Sequence, residues 1–194
     1  YCEGDAETLR EAMVAVVGTR RPTPYGRAVA EKLAADLACR GLVVTSGLAL
    51  GIDACAHRGA LKQGRTVAVL GSGLDVPYPR ENRGLAREVA GRGAVVSEFA
   101  LGTPPLAEHF PVRNRVISGL ALGLVVVEAA RRSGSLISAR LALSQDREVM
   151  AVPGNVTSAE SWGSNGRIRD GAKLVESWED VADALPSPWR ENLL

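Results

Sequence analysis

Aromatic side chains are scarce: two Phe, three Tyr and three Trp make up 4% of the 194 residues. Any site that stacks rings on a ligand must therefore rest on very few positions. Net charge is nearly absent as well, at +1. That excludes a histone-like binder with a wholly basic surface, and leaves only a local patch for an anionic partner. Cysteine is rare. Cys2, Cys39 and Cys55 form an odd set without CxxC spacing, which reads as reduced thiols of a cytoplasmic protein, not a disulfide framework. With two histidines and no Cys/His cluster, a zinc site is not expected. No run reaches the ~18 apolar residues of a membrane span, and no signal peptide is visible. Lysine is nearly missing, with three against 20 arginines. Arginine grips phosphate with two prongs. A compositional bias accounts for most of the arginines, so position decides which matter.

What is present describes an ordinary soluble globular chain, 46% hydrophobic and 23% charged. One domain of this length buries a sizeable core without staples. Six short β-branched runs recur: 13–17, 42–45, 66–70, 94–97, 122–127 and 148–152. They are nearly continuous rather than alternating, the pattern of strands buried on both faces of a parallel sheet. Helix-like segments lie between them, at 26–41, 52–63, 81–92 and 135–146. Gly41 and Gly64 stand where C-terminal caps belong, whereas Gly84 interrupts the third segment. Residues 154–171 read as loop, 172–175 as an edge strand and 177–185 as a last helix. The fold class expected is α/β: an extended Rossmann-like, doubly wound, mostly parallel sheet with helices on both faces and a short mixed C-terminal extension. Residues 1–12 are read as a lead-in, 13–185 as the domain and 186–194 as a linker. A chain that opens on Tyr1 is read as part of a longer protein.

In such a sheet, ligands bind beyond the C-terminal ends of the strands. Those ends carry Gly18-Thr19-Arg20, Ser46-Gly47, Gly71-Ser72, Glu98, Glu128 followed by Ser133-Gly134-Ser135, and Pro153-Gly154-Asn155. Small residues that open a helix expose backbone N–H groups to an anion. Tight turns need small residues without any ligand, but six such ends together favour an anion site. No GxGxxG opens the first turn, and neither GxxxxGK[ST] nor GxSxG occurs. Asp53 and His57, at i and i+4, suit either a catalytic or a structural pair; their apolar surroundings favour a hydrogen-bonded structural one. Asp75, Glu98 and Glu128 suit a Mg²⁺ or ribose site, or helix caps and arginine pairing. The neighbouring arginines favour the latter. In 109-HFPVRNRVISGL-120 an aromatic precedes Arg113, Asn114 and Arg115, and an apolar helix follows. Phe110 either stacks on a base or joins the core, and the arginines either hold phosphate or pair with Glu98 or Glu108.

Six segments taken together carry a resemblance: 16-VVGTRRPTPYG-26, 45-TSGLALGIDACAH-57, 66-TVAVLGSGLDVPYP-79, 109-HFPVRNRVISGL-120, 127-VEAARRSGSLISA-139 and 152-VPGN-155. In order and spacing they resemble the DNA-processing protein A (DprA/Smf) family, over roughly residues 13–175. The resemblance implies a single-stranded DNA-binding protein of natural transformation and recombination, not an enzyme. It would protect incoming strands and load RecA recombinase onto them, as a homodimer without a cofactor. It implies DNA or phosphate contacts at Gly18, Thr19, Arg20, Ser46 and Gly47, with Phe110, Arg113 and Asn114 as the other wall. Some members carry a lysine three residues before the phenylalanine. Here Ala107 and then Glu108 occupy that stretch, which shifts phosphate contact to Arg20 or Arg113. An alternative is a phosphoribohydrolase-like, nucleotide-processing enzyme of the wider Rossmann-like superfamily, with Glu98 or Glu128 as acid or base. Those enzymes carry a PGGxGT-type loop, and RRSGSLISA stands in its place. A protein-interaction module with a vestigial pocket is a third, weaker option.

Overall fold

The structure is a computed structural model that describes residues 1–187 and 189–193. In chain order the elements are β1 (Cys2–Gly4), β2 (Met13–Val17), α1 (Pro24–Cys39), β3 (Val43–Ser46), α2 (Ile52–Gln63), β4 (Thr66–Val69), α3 (Arg83–Arg92) and β5 (Ala94–Val96). Then follow α4 (His109–Leu120), β6 (Gly123–Val126), α5 (Ser135–Ser144), β7 (Glu148–Ala151), α6 (Trp162–Arg169), β8 (Lys173–Leu174), α7 (Trp178–Ala184) and α8 (Trp189–Leu193). Among the described residues, no helix is long and apolar enough to cross a membrane.

One eight-stranded sheet runs β1-β5-β4-β3-β2-β6-β7-β8. The continuous apolar runs become strands because both faces of the sheet are covered. In β2, Val14 and Val16 pack with Ala30, Leu33 and Leu37 of α1 and Ile52 of α2. Met13, Ala15 and Val17 point the other way, toward Ile117 of α4 and Leu136 and Ala139 of α5. Each valine so enclosed stabilises the fold by about 1.5–3 kcal/mol relative to exposure. A third cluster joins Leu85 and Val89 of α3 to Leu61 of α2 and Leu70 beyond β4.

All six expected strands form, and the sheet is mostly parallel. Its antiparallel member is β1, paired Cys2↔Val96 and Gly4↔Ala94. So the stretch read as a lead-in supplies a sheet edge, and β8 in the C-terminal extension runs parallel to β7. Other differences have simple causes. Helix α3 passes through Gly84, whose Cβ position meets nothing within 4 Å. The burial of Leu85, Ala86 and Val89 outweighs the ~1 kcal/mol cost of that glycine. Residues 154–171, read as loop, contain α6. Helix α4 starts at His109, ahead of the arginines, because Pro111 falls in its first turn where no N–H is required. Gly41 caps α1 at φ +82° as expected. Gly64 ends α2 in extended backbone instead, at φ −169°. Trp189–Leu193, within the stretch read as a linker, is helical; Pro188 and Leu194 of that stretch lie outside the described residues.

The order in which strands are added reverses between β2 and β6, which lie side by side and pair in parallel. One series of strands builds outward from β2 through β3, β4 and β5, the other from β6 through β7 and β8. Two helix-leading loops therefore diverge at the C-terminal ends of β2 and β6 and leave a crevice.

Candidate functional site

That crevice is a cleft of about 660 Å³. Gly18 and Arg20 line it from the end of β2, Phe110, Arg113 and Asn114 from the first turns of α4, and Ser133 and Gly134 from the loop into α5. A smaller depression of about 40 Å³ adjoins it, shared by Arg20, Gly47, Tyr78, Phe110 and Arg113.

Phe110 is the centre of this group. The Arg20 guanidinium carbon lies 5.4 Å from its ring centroid and that of Arg113 lies 5.9 Å away. Tyr78 approaches the ring at 5.7 Å, tilted by 41°. Arg20 is exposed and makes no ion pair among the described residues. A cation over a ring face is favoured by the ring quadrupole, so Arg20 rests on Phe110 with its donors open to the cleft.

Arg113 is different. It is buried, and its Nη1 donates to the carbonyls of Gly47 (2.8 Å) and Val69. Its Nε donates to Asn114 Oδ1 at 3.3 Å. Burial pulls its pKa down to about 10, opposed by Asp53 and assisted by Arg20, so it remains a cation at neutral pH. Asp53 accepts from the Gly47 N–H at 3.1 Å, and burial raises its pKa against the pull of Arg113. Gly47 sits between the two. A Cβ there would lie 2.6 Å from Arg113 Nη2 and 2.8 Å from Asp53 Oδ2, so only glycine fits.

The structure divides the residues singled out in the sequence. Gly18, Arg20, Phe110, Arg113, Asn114, Ser133 and Gly134 line the cleft, and Gly47 lines the depression beside it. Thr19, Ser46, Gly71 and Ser72 line neither. The Thr19 hydroxyl accepts from the Arg21 N–H, and the Ser46 hydroxyl donates to the Val16 carbonyl at 2.6 Å. Ser72 donates to the Val76 carbonyl at 2.7 Å. The Ser46 and Ser72 hydroxyl protons are thus spent on backbone carbonyls of the scaffold, whereas the Thr19 hydroxyl only accepts and keeps its proton. Gly71 lies under Phe110, whose Cδ1 would be 3.0 Å from a Cβ there, so its absent side chain seats the ring.

The acids and the histidine also settle into structural roles. Asp53 and His57 are not bonded to each other, contrary to the pair expected. His57 Nδ1 lies 2.7 Å from Thr66 Oγ1, and that hydroxyl donates to the Val44 carbonyl. The hydroxyl proton is therefore committed, so Nδ1 is the donor to Thr66. Burial lowers the imidazole pKa to about 3. Glu128 accepts from the Thr23 N–H at 2.9 Å and the Thr23 hydroxyl at 2.6 Å at the start of α1, and Asp75 accepts from the Gly102 N–H. Arg115 pairs with Glu98. Glu128 thus secures the start of α1 and Glu98 pairs with an arginine as expected, whereas Asp75 does neither and holds a loop. Ser135 joins Ser133 and Gly134 in the lining, and Tyr78 and Ser138 line the cleft without having been foreseen. Tyr78 had a signal: an aromatic between prolines in a chain with few rings is rarely accidental filling.

A sequence profile of the family "DNA recombination-mediator protein A" matches residues 1–186. This chain belongs to the DNA recombination-mediator protein A family. Protein Smf of Escherichia coli is 47% identical over 187 residues, 95% of this chain and 50% of that protein. The chain therefore spans half the length of that relative. Among solved structures, DNA processing protein A from Streptococcus pneumoniae is 43% identical with a TM-score of 0.91, across 95% of this chain and 65% of that one. The Helicobacter pylori family member, studied for its single-stranded DNA binding mode, is 34% identical with a TM-score of 0.87, across 93% of this chain and 83% of that one. A molybdenum cofactor binding protein from Rippkaea orientalis is 21% identical with a TM-score of 0.58, across 90% of this chain and 94% of that one, and shares the fold alone.

Proposed function

We propose that this domain binds single-stranded DNA in the cleft between β2 and β6, protects strands entering transformation and recombination, and presents them to a recombinase of the RecA type. The observation that carries the reading is Phe110, set in the cleft with the unpaired Arg20 over its ring. A phosphate meets Arg20 and the backbone N–H groups at Gly18 and Gly134, while an unstacked base lies against Phe110 and Tyr78. Asn114, whose amide N–H groups have no partner among the described residues, supplies a donor to a base edge or sugar. Arg113 and Gly47 support this surface: Arg113 fixes the Phe110 wall and adds buried positive charge without spending its donors on the ligand. Gly71 and Ser46 hold the floor from below.

Binding rather than catalysis fits the titratable groups. His57 is neutral and enclosed, Glu128 is committed to Thr23, and Asp53 to Gly47. Family membership and the single-strand binding studied in the H. pylori relative support the choice of ligand. Dimerisation and recombinase loading rest on the family resemblance.

Titration of fluorescent oligo-dT tests the reading. Arg20→Ala and Phe110→Ala should each weaken binding by about tenfold or more, in keeping with ~1–3 kcal/mol per stacked base. Wild-type affinity in both variants removes the cleft as the DNA site. Turnover of a nucleoside monophosphate, abolished by Glu128→Gln, would replace the reading with the enzymatic one.

A further inference from the structure

A second cationic surface lies on the other side of the α5 N-terminus. It is a groove of about 530 Å³, lined by Arg131, Arg167 and Arg169 against a single acid, Asp170, with Leu136, Val156 and Trp162 among its apolar members. Asp170 is held by Arg167 at 2.7 Å and approaches Arg169 only at 4.0 Å. Arg131 makes no ion pair among the described residues; its guanidinium carbon instead lies 4.7 Å from the Trp162 ring centroid. Trp162 is 43% exposed in a chain with three tryptophans. Its indole N–H donates to the Val156 carbonyl at 3.1 Å, which fixes the ring at the groove wall.

Burial does not account for an exposed indole roofed by an unpaired arginine. A ring so fixed, with guanidinium groups around it, has the make-up of a stacking platform in a positive groove, the general means of holding single-stranded nucleic acid without sequence preference. The groove and the cleft are lined by neighbouring residues of the chain. Arg131 stands two residues before Ser133, which lines the cleft, and Leu136, which lines the groove, follows one turn later on α5.

We propose that this groove is a second single-strand contact: a strand held in the cleft continues over the α5 N-terminus and lays a further base on the Arg131–Trp162 stack, with phosphates at Arg131 and Arg169. The inference rests on the cleft being a single-strand site. Arg131 supplies an extended stack, since a base on its free face continues the Trp162–guanidinium pile, and its edge N–H groups reach the adjoining phosphate.

The test compares oligo-dT of about 6 and about 20 nucleotides, lengths that bracket a single site and a path beyond it. It uses the wild type, Trp162→Phe and the double variant Arg131→Ala/Arg169→Ala, with DNA in excess so that each strand carries one protein. The double variant should bind the short strand as wild type does. It should lose most of the extra affinity for the long strand, with a salt slope shallower by about 0.7 per lost phosphate contact. The long strand, and not the short one, should quench a tryptophan signal that is missing in Trp162→Phe. Long-strand affinity, salt slope and quenching unchanged by the substitutions overturn the second contact and leave the cleft standing. Failure of wild type to bind either strand removes the cleft and this extension together. A loss on both lengths alike, with normal unfolding of the variant, also overturns it, because the groove would then not be a separate contact.

Discussion

Two arginines near the same phenylalanine ring have opposite characters. Arg20 is exposed and unpaired, and Arg113 is buried and bonded to the carbonyls of Gly47 and Val69. Substitution should separate them. Arg20→Ala should leave unfolding free energy within about 0.5 kcal/mol of wild type, as for other surface changes, while flattening the salt dependence of DNA binding by about 0.7. Arg113→Ala strands two buried carbonyls and should cost about 3 kcal/mol in urea unfolding. Equal stability losses in the two variants would contradict this division. Gly47→Ala forces a methyl group against Arg113 Nη2 and Asp53 Oδ2 and should destabilise by about 1–3 kcal/mol, read from the same unfolding curves. Arg113 and Gly47 were both marked in the sequence as DNA contacts. The structure places both beside the cleft, but a sequence does not show whether a donor faces solvent or a neighbouring carbonyl.

At the scale of elements, α2 is tied to the sheet by one titrating group. His57 donates to Thr66 on β4, which in turn donates to Val44 on β3. The folded pKa of about 3 lies below the ordinary histidine value of 6.5, so the unfolded chain takes up the proton first. Stability from this group is therefore complete above about pH 6.5 and falls as pH drops toward 3. Between pH 7 and pH 5 the loss amounts to about 2 kcal/mol. Urea midpoints for wild type and His57→Gln at both pH values isolate it: the variant should lose that part of the acid sensitivity, and an identical pH response would contradict it. The six β-branched runs were legible because strands covered on both faces must be apolar throughout. Strand β1 was not, since its three exposed residues, Cys2, Glu3 and Gly4, carry no hydrophobic signal and join the sheet only through backbone pairing with β5. Helix α6 was hidden by Gly163 and Gly166, poor helix formers; Gly163 is buried where a Cβ would lie 2.5 Å from the Ala129 carbonyl. Close packing there, rather than flexibility, requires the glycine.

For the molecule as a whole, a net charge of +1 means that attraction for DNA must be local. The fold concentrates it at one edge of the sheet, where Arg20, Arg113 and the loop into α5 meet, and on to Arg131. The cleft was legible as a set of strand ends because topology alone carries those ends to one crevice. Which side chains face that crevice was decided by local bonds: Ser46 and Ser72 turn inward, and Tyr78 turns out. A ring in a cleft needs the open face of a base, and duplex DNA keeps its bases stacked on each other. The most direct test is a fluorescence anisotropy titration of a mixed-sequence single strand and its duplex at two salt concentrations. Tighter binding of the single strand, weakening as salt rises and reduced by Phe110→Ala, is the outcome expected from Phe110 and Arg20 acting together. Equal or tighter duplex binding, indifferent to Phe110→Ala, would contradict the account.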